Sequence, residues 1–534
     1  MARFSHFRKM TKIWAVWFVC GVGLLGCGQN AVPSAAVAPV SKTVFNSTPT
    51  NTASEAPENP APKSNEAPSA APKEKSRTDA EPLVNIGTRK KGVDWPRFLG
   101  PTGDSKSPEK GVITKWPKTG PKIVWQRALD ISYDIGSVSQ GRYYQFDRRD
   151  PERDPDGRAV VGKARLLCLN AETGDDLWQF EYPTSYSDLY GYNSGPRCSP
   201  IVDGNRVYIF GVEGMLHCLN ATNGQLIWKL DTAKEYGVIQ NFFGVGSTPV
   251  IDGDLLIVMI GGSPEESQSV PPGQLDRVVP NGTGVVAFDK FTGEVKYKII
   301  DDLASYASLQ LTTIGDRRWC FAFLRSGLVG FEPASGKIDF SYPWRSKTIE
   351  SVNASVPVVV GNEVFISETY SIGSSLLNVR PGGSEVVWSD DPRKRDKSMK
   401  CHWNTPIFVD GYLYGCSGRN PPDAELRCIE WKTGKVMWTV PNKERTSLLY
   451  VDGHFVCLGE YGSLRLLKVN PNEPEVVSGV ILRADAEEPQ VPGLEPKPLL
   501  KYPCWAAPII SHGLMYVRGE DRLICMELIP EDQP

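Results

Sequence analysis

The chain has 534 residues, with 59 lysine and arginine side chains against 62 aspartate and glutamate side chains, and a formal net charge of -3. This balance excludes a strongly basic protein that coats nucleic acid. Its 50 glycines and 43 prolines disfavour long helices and favour many short strands joined by turns. Fourteen tryptophans and 19 tyrosines predict a large folded core.

The N-terminus has the pattern of an export signal. A basic head within residues 3–12 is followed by the apolar or small residues 13–26. This stretch is too short for a membrane span, which needs about 20 residues. It ends in Leu25-Gly26-Cys27, which resembles a bacterial lipobox. We predict that residues 1–26 are a lipoprotein-type signal peptide and that Cys27 is lipidated; an ordinary cleaved signal and an uncleaved anchor are the alternatives.

The next segment predicts a tether. Residues 27–93 are rich in alanine, proline and serine, and Phe45 is the aromatic residue between positions 31 and 82. Such a composition cannot bury enough apolar surface to offset the entropy lost on ordering. We predict a disordered linker over 27–93 and one folded domain over 94–534, beginning at Asp94-Trp95-Pro96.

One phrase recurs along the folded domain. An apolar strand ends in Asn, Asp or Glu, a turn containing glycine follows, and an aromatic residue stands four positions after the glycine. The strand Leu166–Asn170, with Gly174 and Trp178, is a clear copy. Strands of this kind lie near residues 167, 217, 286, 329, 376, 427, 466 and 524. Internal repetition of this kind predicts a repeat fold.

A second signature precedes the copies. It is a short strand that starts at a proline and ends at a glycine turn, as in Ser199–Gly204 and Thr405–Gly411. Each module therefore contains four antiparallel strands, which is the make-up of a propeller blade. We predict an all-β, eight-bladed β-propeller; a seven-bladed ring is the alternative if the module near residue 466 is an insertion.

The two ends of the domain predict how the ring closes. The last repeat, Arg522–Glu527, stops before any outer strand, whereas Lys122–Gln126 has the pattern of an outer strand with no repeat before it. We therefore expect this N-terminal strand to complete the last blade, which removes the open edges of the array.

The repeat resembles the tryptophan-docking repeat of pyrroloquinoline-quinone-type propellers over residues 94–534, with cysteine in the small-residue position of several copies. The resemblance implies the fold and leaves two branches open. One is the quinoprotein dehydrogenases, and the other is non-catalytic propellers such as the lipoprotein scaffold of the outer-membrane β-barrel assembly machinery. The opening Asp94–Pro101 is similar to a motif of secreted propellers from planctomycete-like bacteria.

The docking aromatics are interpreted as pegs between blades, because each such ring buries about 150 to 250 Å². Ligand stacking is the alternative for these residues, which are Trp125, Trp178, Trp228, Trp388 and Trp438. Cysteines at equivalent positions of different blades should exceed the roughly 7 Å limit for a disulfide. We interpret Cys168, Cys218, Cys428 and Cys525 as small core residues, and a Cys401–Cys504 bridge stays open.

The resemblance also implies what a quinone enzyme would carry: an adjacent cysteine pair, a tryptophan floor, an aspartate base and acidic calcium ligands. The sequence has no Cys-Cys dipeptide, although Trp403 and Trp505 are candidates for the floor. We therefore predict no cofactor, no metal site and no catalytic residue, with pyrroloquinoline quinone and calcium as the alternative. The run Asp147–Gly157 predicts a solvated hairpin loop rather than a calcium site.

The segments that lead into the inner strands are rich in aromatic and amide side chains. We predict that they surround one mouth of the central channel and bind a partner there; packing of the channel is the alternative. Flat aromatic rings with amides suit a peptide, a saccharide or another small molecule. The predicted residues are Tyr190, Tyr192, Asn193, Arg197, Asn241, Phe242, Phe243, His402, Trp403, Asn404 and Trp505.

These patterns together predict a monomeric, non-catalytic binding or scaffold propeller of the bacterial cell envelope, acting in protein assembly. Its partner would be an envelope protein or peptide, or a saccharide, and not nucleic acid. Lipidation of Cys27 would hold it to a membrane, and Gly28 in place of aspartate favours the outer membrane, facing the periplasm. The alternatives are a periplasmic quinoprotein oxidoreductase and a propeller that binds or acts on polysaccharide.

Overall fold

The computed structural model describes residues 82–87, 89, 91–149, 161–441, 443–483 and 497–531. The predicted signal peptide, the lipidation site Cys27 and the tether up to residue 81 lie outside these residues. The regular secondary structure of the described part of the chain is almost entirely β-strand, with one short helix, α1 (Thr232–Tyr236), and the 3-10 helices Glu265–Ser269, Leu275–Arg277 and Pro421–Asp423. None of the helices described is long and apolar enough to cross a membrane.

The strands form eight sheets, and each sheet is one blade whose strands follow one another from the inner to the outer edge. Two strands precede the blades: β1 (Lys106–Ser107) and β2 (Ile123–Ala128). Blade 1 is β3 (Ser137–Ser139), β4 (Arg142–Arg149), β5 (Gly162–Asn170) and β6 (Asp176–Thr184). Blade 2 is β7 (Ile201–Asp203), β8 (Arg206–Phe210), β9 (Met215–Asn220) and β10 (Leu226–Asp231). Blade 3 is β11 (Val250–Asp252), β12 (Leu255–Met259), β13 (Val285–Asp289) and β14 (Val295–Ile299).

The following blades repeat this order. Blade 4 is β15 (Gln310–Ile314), β16 (Arg317–Phe323), β17 (Gly327–Phe331) and β18 (Ile338–Pro343). Blade 5 is β19 (Val358–Val360), β20 (Glu363–Glu368), β21 (Gly373–Arg380) and β22 (Gly383–Ser389). Blade 6 is β23 (Ile407–Val409), β24 (Tyr412–Ser417), β25 (Glu425–Glu430) and β26 (Val436–Pro441). Blade 7 is β27 (Thr446–Val451), β28 (His454–Gly459), β29 (Ser463–Lys468) and β30 (Glu475–Ile481).

Blade 8 takes its strands from both ends of the folded domain. Its first strands are β31 (Ile509–Ser511), β32 (Leu514–Arg518) and β33 (Arg522–Glu527), and β2 supplies the outer strand. The pairing of β2 with β33 is antiparallel and sets Gln126 opposite Ile524. The eight-bladed architecture predicted from the repeat is thus confirmed, and the strand around Ile123 has the partner expected for it.

The repeated aromatic residue connects neighbouring blades. In blade 1 the register between β5 and β6 shifts at Cys168, and Trp178 pairs with that residue. The ring of Trp178 lies over Gly224 of the next blade, where a Cβ atom would come within 2.5 Å of it, and Trp178 Nε1 donates to the carbonyl of Ala221 at 3.2 Å. Gly224 also has a φ of 73°, which glycine adopts without strain. The aromatic residue is therefore a peg, as predicted.

The same contact recurs around the ring. Indole nitrogens donate to carbonyls of the following blade for the pairs Trp125–Ala171, Trp228–Lys290, Trp388–Trp431 and Trp438–Asn470. The four cysteines of the repeat, Cys168, Cys218, Cys428 and Cys525, are fully buried core residues. Among the described residues every cysteine carries a free thiol, so Cys401 and Cys504 are not bridged here.

The prediction of a solvated loop over Asp147–Gly157 is wrong for its first residues. Asp147 lies within β4 opposite Arg165 and is fully buried. Arg165 donates to its carboxylate from Nε at 2.9 Å and from Nη2 at 2.7 Å. The buried ion pair explains why a charged residue continues the strand. Residues 150–160 lie outside the described part.

A segment that we call the strap, residues 92–113, runs along the inner strands of the blades. Trp95 forms a bridge with Val138 of blade 1, and the carbonyl of Pro96 accepts from Val202 of blade 2. Residues 97–106 line small gaps beside the inner strands of blades 3 to 6. β1 then pairs in parallel with β27 of blade 7, and the Glu109 carboxylate accepts from Gly513 of blade 8 at 2.7 Å. The strap therefore contacts every blade.

The chain meets the blades before Asp94. Leu83 is buried in the core shared by blades 1 and 2, and the Ile86 amide donates to the Gln140 carbonyl at 3.3 Å. Arg89 makes an ion pair with Glu527 of blade 8, at 2.8 Å. The last residues of the segment assigned to the tether thus pack against the propeller.

Candidate functional site

A cavity of about 200 Å³ lies at one mouth of the central channel. Each of the eight connections that lead from an outer strand to the next inner strand contributes to its wall. Phe98, Leu99 and Ser105 of the strap also line it. Because the strap runs along the inner strands, we describe these three residues as the floor of the cavity.

Seven of the residues predicted from the sequence line this cavity: Tyr192, Arg197, Phe243, His402, Trp403, Asn404 and Trp505. Tyr306, whose segment has the same aromatic character, also lines it. The topology explains this convergence, because every connection at this end of a propeller points towards the channel axis.

The other four predicted residues do not line the cavity. Tyr190 is 52% exposed and stands beside it, with its ring 5.7 Å from that of Phe243. Phe242 is buried in a separate apolar cluster with Leu275 and Val278. Tyr190 and Phe242 belong to long connections between blades. Their position in the sequence before an inner strand is therefore not enough to bring their side chains to the wall of the channel.

Asn193 and Asn241 support local structure instead. Asn193 Oδ1 accepts from the Gly195 amide at 3.1 Å, and Asn241 Oδ1 accepts from the Phe242 amide at 2.8 Å. Asn241 Nδ2 donates to the Ala304 carbonyl at 3.3 Å. These amides order the connections that carry the lining residues.

Aromatic rings form a continuous belt around the mouth, with Trp505 at its centre. The Trp505 ring is 4.7 Å from Trp403 and 4.9 Å from Tyr133, whose plane is inclined to it by only 20°. Tyr192 and Tyr502 follow at 5.8 and 6.0 Å. Offset and edge-on ring pairs at these separations are stabilising. The wall of the cavity is therefore a preformed set of flat surfaces.

Arg445 and Glu460 support this belt, and no sequence pattern predicted either residue. The Arg445 guanidinium lies 4.3 Å from the Trp403 ring and 5.0 Å from the Trp505 ring. Glu460 is fully buried and accepts from Arg445 Nη2 at 2.6 Å and from Trp505 Nε1 at 3.1 Å. Neither residue belongs to the repeated sequence phrase. Arg445 precedes β27 and Glu460 follows β28, so the two residues meet at the open end of this hairpin.

A second guanidinium has the same arrangement beside Tyr133. Arg197 Nη2 donates to Asp188 at 2.8 Å, and the guanidinium lies 5.0 Å from the Tyr133 ring. Burial raises the pKa of the Tyr133 hydroxyl to about 12, so this phenol stays neutral. Both arginines of the cavity are thus already neutralised by a carboxylate.

His402 adds no charge to the cavity. Burial, together with repulsion from Arg445 and Arg419, lowers the pKa of its imidazole to about 3. Its Nε2 lies 3.4 Å from the Tyr370 hydroxyl. The ring is therefore neutral at physiological pH and acts as one more flat face.

The hydroxyl groups around the cavity are committed to the backbone. Tyr306 Oη accepts from the Phe243 amide at 2.7 Å, and Ser308 Oγ accepts from the Thr248 amide at 2.9 Å. Thr405 Oγ1 accepts from Val356, and Ser447 Oγ donates to the Trp505 carbonyl. These bonds tie adjacent blades together and fix the positions of the hydroxyl groups.

Most of the propeller matches a known protein family. The family described as "Outer membrane protein assembly factor BamB" matches residues 162–468. The match spans more than half of the chain. The chain belongs to this family.

The individual proteins that resemble this chain share only a small part of its sequence. The chain is 24% identical over 307 residues to the outer membrane protein assembly factor BamB of Burkholderia pseudomallei (strain K96243), covering 53% of this chain and 68% of that one. The crystal structure of BamB from Moraxella catarrhalis is similar at 12% identity and a TM-score of 0.44, over 72% of this chain and 97% of that one. The quinohemoprotein alcohol dehydrogenase of Comamonas testosteroni is similar at 12% identity and a TM-score of 0.43, over 83% and 81%.

The lining residues do not fit pyrroloquinoline quinone. This cofactor carries three carboxylates, which need cations or free donors. Arg197 and Arg445 are the arginine or lysine residues that line the cavity, and each already binds a carboxylate of the protein. At about 200 Å³, the cavity is also smaller than the roughly 300 to 1,000 Å³ of pockets that enclose a whole small ligand.

Proposed function

We propose that the chain is a non-catalytic scaffold protein of the bacterial cell envelope that takes part in assembling outer-membrane proteins. The family match over residues 162–468, which includes β5 to β29, is the observation that carries this proposal. The curated relative of Burkholderia pseudomallei carries the same assembly-factor name.

The mouth of the channel is the proposed contact site for the partner. An aromatic belt whose rings hold one another in place offers a rigid surface, and little ordering entropy is then lost on binding. Tyr and Trp are enriched in protein interfaces, and Arg joins them among the residues that dominate binding energy. Trp403, Trp505 and the exposed Tyr192 give the mouth this composition.

The proposed location is the outer membrane, on its periplasmic side. Lipidation at Cys27 would attach the chain, and a linker up to the first packed residues near Leu83 would hold the propeller away from the membrane surface. This arrangement leaves the mouth accessible to other envelope proteins. Metabolic labelling with an alkyne-tagged fatty acid, compared between wild type and Cys27→Ala, tests the anchor.

The function is tested in the native bacterium by depletion and complementation. Depletion should reduce the amount of folded β-barrel proteins in the outer membrane, measured by heat-modifiable electrophoretic mobility. Wild-type protein and Val387→Ala, a change on an exposed outer strand, should restore that amount. The double variant Trp403→Ala with Trp505→Ala should not.

Two results would contradict the proposal. Normal levels of folded outer-membrane proteins after complete depletion would remove the assembly role. A stoichiometric bound chromophore with dye-linked alcohol oxidation, obtained after adding pyrroloquinoline quinone and calcium, would instead make the chain an oxidoreductase.

A further inference from the structure

We propose that the cavity at the mouth receives an uncharged aromatic side chain from a polypeptide partner. This inference rests on the proposed function and adds the chemistry of the group that is recognised. It also assigns the strap residues Phe98 and Leu99 a role in recognition, as the floor against which the inserted side chain stops.

The charge balance of the cavity disfavours an ionised group. Arg445 is held by Glu460 and Arg197 by Asp188, so neither a bound anion nor a bound cation would find a free counter-charge. An ionised group buried without a partner loses several kcal/mol of solvation. The group that fits is therefore neutral.

The polar capacity of the wall disfavours a sugar. The hydroxyls of Tyr306, Ser308 and Thr405 are held in place by backbone amides that they accept, so each can offer a ligand an O–H donor only from a fixed position. A sugar ring presents several hydroxyls, and each one buried without a partner costs about 1 to 3 kcal/mol. The buried side-chain atoms of the lining residues that have no partner are three: Trp403 Nε1, which is a donor, Asn404 Oδ1, which is an acceptor, and His402 Nδ1, whose role depends on the tautomer.

The shape of the cavity selects an aromatic group. Tyr133, Trp403 and Trp505 provide flat walls, and Phe98 and Leu99 provide an apolar floor. Ring pairs in offset or edge-on contact gain about 0.5 to 1.5 kcal/mol beyond the burial of their area. A flat side chain makes such contacts with several walls at once, whereas a branched aliphatic side chain makes none.

The surface around the cavity indicates that the occupant extends beyond it. Tyr190, Tyr192, Tyr461 and Tyr502 are 52%, 45%, 47% and 44% exposed. Tyr461 stacks on Tyr502 at 5.3 Å, and Tyr190 packs on Phe243, so the exposed rings continue the belt on both sides of the cavity. A polypeptide chain lying across these tyrosines would bury them, and a free aromatic molecule would not.

The test uses the full mature chain and fluorescently labelled twelve-residue peptides measured by anisotropy. A set of sequences with a central tryptophan is compared with the same sequences carrying alanine or glutamate at that position. We expect the tryptophan peptides to bind at least tenfold more tightly than the alanine peptides, and the glutamate peptides to bind no better than alanine. Equal affinity for the three sets would overturn the proposal, as would tighter binding of a labelled oligosaccharide.

Variants locate the binding in the cavity. Ala354→Phe would fill the cavity, and Trp403→Leu would remove a flat wall while keeping an apolar side chain. Both should weaken the tryptophan peptides at least tenfold, whereas Val387→Ala should not. Thermal melting identifies any variant that fails to fold, and one folded variant of the pair is sufficient. Unchanged affinity in a folded cavity variant would overturn the proposal.

The two proposals can fail separately. If no aromatic peptide binds but depletion still lowers folded outer-membrane proteins, the recognition chemistry is wrong and the assembly role stands. If aromatic peptides bind in the cavity but depletion has no effect, the recognition chemistry stands and the assembly role is wrong.

Discussion

Replacing Glu460 with glutamine should destabilise the propeller strongly, although the change is nearly isosteric. Glu460 is fully buried, and its Oε2 lies 2.6 Å from Arg445 Nη2. Glutamine keeps an acceptor for Trp505 Nε1 but leaves the guanidinium between two indole rings without its counter-charge.

The magnitude follows from the geometry. Two unit charges about 3 Å apart attract by about 5 kcal/mol at an effective dielectric constant of about 20. Removing one partner of a buried pair costs about 3 to 5 kcal/mol in measured cases. We expect Glu460→Gln to lower the free energy of unfolding by about this amount, which is a large part of the roughly 5 to 15 kcal/mol of a typical domain.

A double-mutant cycle separates the pair from its surroundings. Arg445→Met and the double variant Glu460→Gln with Arg445→Met are compared with wild type by urea unfolding, followed by tryptophan fluorescence. Because the double variant leaves no uncompensated charge, it should be more stable than Glu460→Gln alone, with a coupling energy of about 2 kcal/mol or more. A loss below about 1 kcal/mol for Glu460→Gln, or additive losses in the cycle, would refute the argument that the pair neutralises the mouth.

Three further changes test other parts of the structure. Gly100→Ala should destabilise the strap, because Gly100 has a φ of 82° and a Cβ atom there would stand 2.7 Å from the Trp95 ring. Urea unfolding should show this loss of stability, and an unchanged unfolding midpoint would contradict the prediction. Trp125→Ala should lower the free energy of unfolding by about 3 to 5 kcal/mol, because it removes the peg between blades 8 and 1. Trp125→Phe should lower it less, and equal stability of the two variants would contradict the role of the ring. Burial and repulsion from Lys229 lower the pKa of the His217 imidazole to about 4 in the folded protein. As the pH falls below about 6.5, this histidine therefore takes up a proton in the unfolded chain before it does so in the folded protein. Stability should therefore fall by up to about 3 kcal/mol between pH 6.5 and pH 4, and a His217→Phe variant with the same pH profile as wild type would contradict the effect.

The blade count could be predicted because the contact that joins blades recurs in the sequence. The contact of Trp178 with Gly224 recurs with small changes at Gly174, Gly293, Gly336 and Gly434, so the aromatic residue and the glycine mark most of the seams without any knowledge of the structure. The pairing of the N-terminal strand also follows from this repeat, since one incomplete module at each end leaves one outer strand and one vacancy.

The strap could not be predicted in the same way. Its successive parts meet different blades: Trp95 lies at Val138 of blade 1, and Glu109 lies at Gly513 of blade 8. No two of these contacts are equivalent, so no periodic pattern records them. The signal that was present is the motif Asp94–Pro101 itself, in which Gly100 allows the chain to pass close to the Trp95 ring.

The candidate site was predicted in outline, because topology alone brings the residues before each inner strand to the channel. Tyr133 and Arg445 occupy such positions but were missed, since their segments lack the clusters of aromatics seen at His402-Trp403-Asn404. Glu460 follows β28 and reaches the mouth only because Arg445 precedes the neighbouring strand β27. Pairing of this kind depends on strand register, which the repeat phrase does not specify.

The strap makes the cavity depend on the whole ring. Its residues touch the inner strand of every blade, and Phe98 and Leu99 among them form the floor of the cavity. Separation of any two blades would therefore shift the floor as well as the wall. A group that binds against both will favour the closed ring, since ligand that binds only the native arrangement stabilises it by mass action. Recognition at the mouth and cohesion of the eight blades are thus two consequences of one segment, and a variant that loosens the strap should weaken both together.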